Sequence, residues 1–125
     1  MKNKYRFSII TVSYNVEKTI EQAIQSVISQ TYDNVEYIII DGMSTDNTVD
    51  IIRKYESSIF FWVSEKDDGI YDAMNKGIDV ATGDYIYFLG ADDCLFQKNT
   101  IQNVADRLND DIDVLSAGVY LFPFW

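Results

Sequence analysis

The stretch YIYFLGADDCLF, Tyr85–Phe96, decides the fold. Five apolar residues run without a break, which is the pattern of a strand buried on both faces. They end in a glycine, an alanine and two adjacent carboxylates, Asp92 and Asp93. Like charges side by side repel, and burying them is costly. An acidic pair at the tip of a buried strand therefore calls for a partner.

The same grammar repeats upstream. FSIITV (7–12) reads as a strand, and Ile20, Ala23, Ile24, Val27 and Ile28 then recur at helical spacing. VEYIII (35–40) is a second strand, followed by a short helix carrying Val49, Ile51, Ile52 and Tyr55. IFFWV (59–63) is a third strand, and the next helix puts Tyr71, Met74, Ile78 and Ala81 on one side. Thr82–Gly83 ends that helix in the manner of a C-terminal glycine. DYIYFL (84–89) is the fourth strand, Ile101, Val104, Ala105 and Leu108 mark a last helix, and DVLSAGVYLF (113–122) reads as a further strand. The alternation predicts a three-layer α/β/α domain over residues 1–125, with a mostly parallel, Rossmann-like sheet and right-handed crossovers.

Composition narrows the chemistry. With 125 residues, 47% of them hydrophobic, the chain can bury a core as one domain. Its net charge of −10 disfavours nucleic acid backbones and anionic membranes. There is no histidine, so histidine catalysis and histidine-ligated metals are excluded. A single cysteine, Cys94, cannot form an internal disulfide and is expected as a small buried or semi-buried filler, in keeping with a reducing compartment. No signal peptide and no bilayer-length apolar run is visible. The six glycines form neither a dinucleotide fingerprint nor a P-loop.

In open parallel sheets ligands bind beyond the carboxyl ends of the strands. The four strands lead in turn into SYN (13–15), DGMSTDNT (41–48), SEKDDG (64–69) and GADD (90–93), all polar. Ser44–Thr48 read as turn and helix-cap residues. Asp41 reads equally as a turn former or as an acceptor for a base edge or ribose. Tyr14 could stack on a base. Asp68 suits a helix start, with Asn75 and Lys76 solvated behind it. Asp92–Asp93 could make a simple turn, but two carboxylates at one rim suit Mg²⁺ or Mn²⁺, which would turn an acidic rim into one that attracts a diphosphate.

At this point SIITVSYN, TIEQAIQSVISQTYDNVEYIIIDGMSTDNT and DGIYDAMNKGIDVATGDYIYFLGADD, in that order, resemble the N-terminal half of family 2 glycosyltransferases of the bacterial polysaccharide and O-antigen type. The resemblance runs from about Phe7 to about Asp93. It implies the GT-A fold, a nucleotide-sugar donor (often a UDP-sugar) and inverting transfer to a saccharide or lipid-linked saccharide acceptor. It places Thr11, Tyr14 and Asn15 around the nucleotide, Asp41 on the base, and Asp68 and Asn75 along the donor site. It makes Asp92–Asp93 the metal pair, with Asp93 the direct ligand. Many members carry another Asp where Gly90 stands. The catalytic base is expected beyond Trp125, in a half that also builds the acceptor site; Asp110, Asp111 and Asp113 come too early for it. The resemblance also implies a cytoplasmic protein, with the whole enzyme at the inner membrane face. Apolar surface left bare by a missing half would favour a homodimer.

Three other readings compete. A receiver domain matches in size and acidity, but its acidic pair should follow the first strand, which ends here in TVSYN. A nucleotidyltransferase would want a Gly-rich, basic first loop, unlike SYNVEK. A non-catalytic nucleotide-binding remnant would keep the donor rim without transfer.

Overall fold

The computed structural model describes residues 4–108. The strand expected over 113–122 lies outside the described residues, as do Asp110, Asp111 and Asp113. Four strands form one parallel sheet: β1 (Phe7–Ser13), β2 (Val35–Asp41), β3 (Phe61–Ser64) and β4 (Tyr85–Phe88). Helices α1 (Ile20–Ile28), α2 (Thr48–Lys54), α3 (Ile70–Val80) and α4 (Thr100–Ala105) alternate with them. The order across the sheet is β3-β2-β1-β4. A receiver-type sheet would place β1 between β2 and β3. Here β1 lies between β2 and β4, and that alternative fails on topology.

Side chains on a strand alternate between faces, so β1 and β2 feed two cores. Phe7, Ile9, Tyr37 and Ile39 pack with Ile20, Ala23, Ile24 and Val27 of α1, Ile52 of α2 and Ile101 of α4. Ile10, Ile38 and Ile40 pack on the other face with Ala73 of α3. Both faces of the central strands are covered, as their unbroken apolar runs require.

Four expectations change. On α3 the large side chains Tyr71 and Ile78 are exposed, while the buried residues are Ala73 and Gly77. The cause is close approach: a Cβ at Gly77 would stand 2.6 Å from Ile10 Cγ2. Only small residues fit between α3 and the sheet, so the bulky stripe turns outward. Strand β4 is the second correction. Ile86, Tyr87 and Phe88 are exposed at 42%, 48% and 37%, because among the described residues β4 pairs only with β1 and α3 packs over β1 and β2. Cys94, expected as a small buried or semi-buried filler, is exposed. No helix among the described residues is long and apolar enough to cross a membrane.

Glycine 83 also has a different reason from the one expected. Its φ is not left-handed; a Cβ there would lie 2.8 Å from both Arg6 O and Ser8 N. It is glycine because the chain entering β4 presses against the backbone of β1.

Candidate functional site

All four strands are parallel, so their carboxyl ends open on one rim. In sheet order the rim carries the β3 loop (64–69), the β2 loop (41–48), the β1 loop (13–15) and the β4 loop (90–93). Chain order runs outward from β1 through β2 to β3, then jumps back across β1 to β4. A reversal of this kind is where open parallel sheets bind ligands, beyond the carboxyl ends of the strands. Tyr14, 58% exposed, follows β1 at that point, and Asp92 and Asp93 follow β4, the strand paired with β1.

Asp41 is buried at 0% exposure, in register with Ser13 on one side and Ser64 on the other. Its Oδ1 accepts from Ser13 Oγ (2.7 Å) and Ser44 Oγ (2.6 Å). Its Oδ2 accepts from Ser44 N (2.8 Å) and Ser64 Oγ (2.8 Å). Both oxygens are therefore engaged beneath the rim surface, which leaves no oxygen turned out towards a base. Ser44 passes the connection on: its Oγ accepts from Asn15 N (2.8 Å). Asn15 Oδ1 accepts from Thr45 N (2.7 Å) and Asp46 N (3.3 Å). Asp46 reaches back to Glu17 N (3.2 Å) and Thr48 Oγ1 to Val16 N (2.9 Å). Burial alone would raise the Asp46 carboxyl, but the hydrogen bonds from Thr48 and Glu17 hold it below its ordinary value. The β1 and β2 loops are thus stitched into one unit. Asn15 and Met43 take left-handed backbone (φ 51° and 66°), a cost that such over-determined loops can hold. Thr11 is fully buried below this layer, its hydroxyl on Tyr37 Oη at 2.8 Å.

The β4 loop makes a tight turn, with Asp93 N donating to Gly90 O (3.0 Å). A Cβ at Gly90 would lie 2.8 Å from Asp93 Oδ2 and 3.1 Å from Asp92 Oδ1. The two carboxylates therefore converge on the space that glycine leaves open. Burial and then the charge of Asp92 push the Asp93 carboxyl above its ordinary value. Burial and then Asp93 raise the nearby Tyr87 phenol. An oxygen cradle whose members repel one another fits a hard divalent cation, which takes oxygen ligands and keeps places for water or phosphate. The pair stands alone: no cluster of three or more acidic, cysteine or histidine groups occurs among the described residues.

Asp68 and Asn75 are both exposed, the first just before α3 and the second in its middle. Asp68 N donates to Asp72 Oδ2 (2.9 Å). Lys76, expected in solvent, pairs with Glu65 (3.2 Å) and Asp72 (3.8 Å). Motif and spacing did not single out Ser13, Ser64 or the connecting role of Ser44. Their signal was present: each small hydroxyl falls at a strand end or just beyond one.

With the rim in place, comparison with known proteins is decisive: the family model for glycosyl transferase family 2 matches residues 8–123. The chain belongs to that family. It is 39% identical over 102 residues to a PGL/p-HBAD biosynthesis glycosyltransferase of Mycobacterium tuberculosis, covering 79% of this chain and 40% of that protein. It is 32% identical over 124 residues to the minor teichoic acid biosynthesis protein GgaB of Bacillus subtilis, covering 93% of this chain and 14% of that one. Among solved structures, TarS of S. aureus in complex with UDP-GlcNAc superposes with a TM-score of 0.74 at 27% identity, over 81% of this chain and 30% of TarS. The mannosyltransferase PcManGT of Pyrobaculum calidifontis, in complex with GDP-Man and Mn²⁺, gives 0.77 at 26% identity, over 88% and 34%. The fold is therefore the GT-A α/β fold. The chain spans 40% or less of the length of these relatives.

Proposed function

We propose that this chain binds the nucleotide-diphosphate-sugar donor, with a divalent cation, for inverting sugar transfer to a saccharide or lipid-linked saccharide. The observation that carries the proposal is the convergence of Asp92 and Asp93 over Gly90 at the sheet's reversal point. The relatives support it: TarS is described with UDP-GlcNAc, and PcManGT with GDP-Man and Mn²⁺.

In this reading Asp93 and Asp92 hold Mg²⁺ or Mn²⁺. Bound there, the cation would stabilise the charge that develops on the departing diphosphate. Tyr14 offers its exposed ring to the nucleobase. Thr11, Asn15 and Asp41 act from below, fixing the β1 and β2 loops through Tyr37, Ser44 and the backbone of Thr45 and Asp46. Asp68, in the loop before α3, and Asn75, on α3, border the donor. In the reaction, the acceptor hydroxyl loses its proton to a general base and its oxygen bonds the anomeric carbon. The anomeric carbon–phosphate oxygen bond breaks, and the nucleoside diphosphate leaves with the electron pair. Among the described residues none is assigned as that base.

Calorimetry on the 125-residue chain with UDP, GDP and dTDP, each with Mn²⁺ and with chelator, tests the proposal. One diphosphate should bind in Mn²⁺ and at least tenfold more weakly in chelator. Asp93→Asn should abolish the metal dependence at unchanged melting temperature. Binding indifferent to both manganese and this substitution would overturn the metal-pair assignment. No binding of any of the three would overturn the donor assignment.

A further inference from the structure

We propose that Asp67, a residue no motif singles out, is the carboxylate that reads the nucleoside of the donor; this rests on the donor-binding reading above.

Four observations lead to it. Asp41, the acid at the tip of β2, has both oxygens committed to Ser13, Ser44 and Ser64 and is fully buried. The next residue is Gly42, whose backbone does not need glycine, since Gly69 is the described glycine with positive φ. What Gly42 supplies is room. A Cβ there would stand 3.0 Å from Asp67 Oδ2 and 3.5 Å from its Cγ, so the Asp67 carboxylate lies across the tip of β2 in the place of the missing side chain. Gly69 N donates to Asp67 Oδ1 (3.1 Å), which fixes the orientation of the carboxylate and presents Oδ2 over Gly42. The neighbouring lysine, Lys76, makes its ion pairs elsewhere, with Glu65 at 3.2 Å and Asp72 at 3.8 Å, and acts on Asp67 only as a nearby charge.

A fixed, half-buried carboxylate is a hydrogen-bond acceptor. It repels a diphosphate and attracts N–H and O–H donors, with charge-assisted strength. A nucleoside diphosphate offers such donors only at its nucleoside end, on the base edge (uracil N3–H, guanine N1–H and N2–H₂) and on the ribose hydroxyls. The rim order separates the two jobs. Asp67 and Gly42 lie on the β2–β3 side of β1, and Asp92–Asp93 lie in the loop after β4, across it. With the diphosphate drawn towards β4, the nucleoside extends over β1 and β2, past Tyr14, to Asp67.

The test is calorimetry in Mn²⁺ on the full 125-residue chain and on Asp67→Asn and Asp67→Ala, with UDP, GDP, 2′-deoxy-UDP and inorganic pyrophosphate as probes. The proposal expects both variants to keep the wild-type melting temperature and pyrophosphate affinity. They should lose at least tenfold in affinity for whichever of UDP or GDP the wild type binds. If that is UDP, an equal loss with 2′-deoxy-UDP assigns the contact to the base, and a loss absent there assigns it to the ribose. Variants that bind the nucleoside diphosphate within twofold of wild type overturn the proposal, and so does a parallel fall in pyrophosphate affinity. A wild-type chain that binds pyrophosphate but neither nucleotide overturns both this inference and the reading it rests on.

Discussion

Strand β2 carries a fully buried carboxylate at each end of its run, and the two are held in different ways. At the amino end Glu36 accepts from Ser8 Oγ (2.6 Å), Thr82 N (2.5 Å), Thr82 Oγ1 (2.6 Å) and Arg6 Nε (3.0 Å), and a half-exposed Arg6 supplies a full positive charge. At the carboxyl end Asp41 has three serine hydroxyls and one backbone N–H, and no cation among the described residues joins the set. The first arrangement locks β1, β2 and the α3–β4 connection at the closed end of the sheet. The second is made of hydroxyls that can rotate to donate or accept. It organises the β1 and β2 loops, and under the donor-binding proposal a fixed buried cation there would compete with a bound divalent cation for the diphosphate. The difference separates a carboxylate spent on stability from one spent on shaping a site.

The sharpest way to break this contrast is to neutralise Glu36. Burial pushes its carboxyl up, but the hydrogen bonds from Ser8, Thr82 and Arg6 outweigh burial and hold it at about 2, against an ordinary value of 4.5. A folded value below the unfolded one means that the stabilisation is full above about pH 4.5 and is lost as pH falls towards 2. That shift corresponds to about 3 kcal/mol as an upper bound. Glu36→Gln should lower stability at neutral pH by up to that amount and should flatten the acid limb of a melting-temperature profile. Nucleotide binding by the folded protein should stay as in the wild type. An unchanged acid limb would mean that the Glu36 lattice is not what holds the closed end.

Much of the fold was legible because strand and helix periods differ and because each apolar run stops at a polar loop. The rim was legible for the same reason: SYN, DGMSTDNT, SEKDDG and GADD each follow a strand, and parallel pairing brings them together. The contents of the rim were less so. Asp41 and Asp92 look alike as letters at strand ends, yet one is fully buried and the other exposed. What separates them is Ser13 and Ser64 alongside, and that register exists only once β1, β2 and β3 are paired. The outward turn of Tyr71 and Ile78 was hidden likewise. Helical spacing gives two apolar stripes on α3, and only the 2.6 Å approach at Gly77 selects the smaller one. The strand YIYF reads as covered on both faces, but its cover is not found among the described residues.

The glycines sharpen the comparison further, since one stands near each carboxylate. Gly83 belongs to the Glu36 end, where its N donates to Ser8 Oγ (2.8 Å). A Cβ there meets Ser8 Oγ at 2.5 Å and backbone atoms of Arg6 and Ser8 at 2.8 Å, none of which can swing aside. Gly83→Ala should therefore cost about 2 kcal/mol, the scale of an overpacked site, and should strain the same lattice that Glu36 completes. Chemical denaturation would measure it as a shifted midpoint at unchanged slope.

Gly42 should show the smallest effect, and for an opposite reason. The atoms that a Cβ at 42 would approach, at 3.0–3.6 Å, belong to the end of the Asp67 side chain. A half-buried side chain can rotate by a few tenths of an ångström without moving any strand. Gly42→Ala should therefore change stability by less than about 0.5 kcal/mol, partly offset by the lower chain entropy of alanine in the unfolded state. Combined with Asp67→Ala, which removes the crowding atoms, its residual cost should vanish, and a double-mutant cycle would report that coupling directly. A cost for Gly42→Ala equal to that of Gly83→Ala would show that the rim end of β2 is as rigidly built as the closed end. The distinction between a locked and an adaptable carboxylate would then fail at the residue where it is most exposed to test.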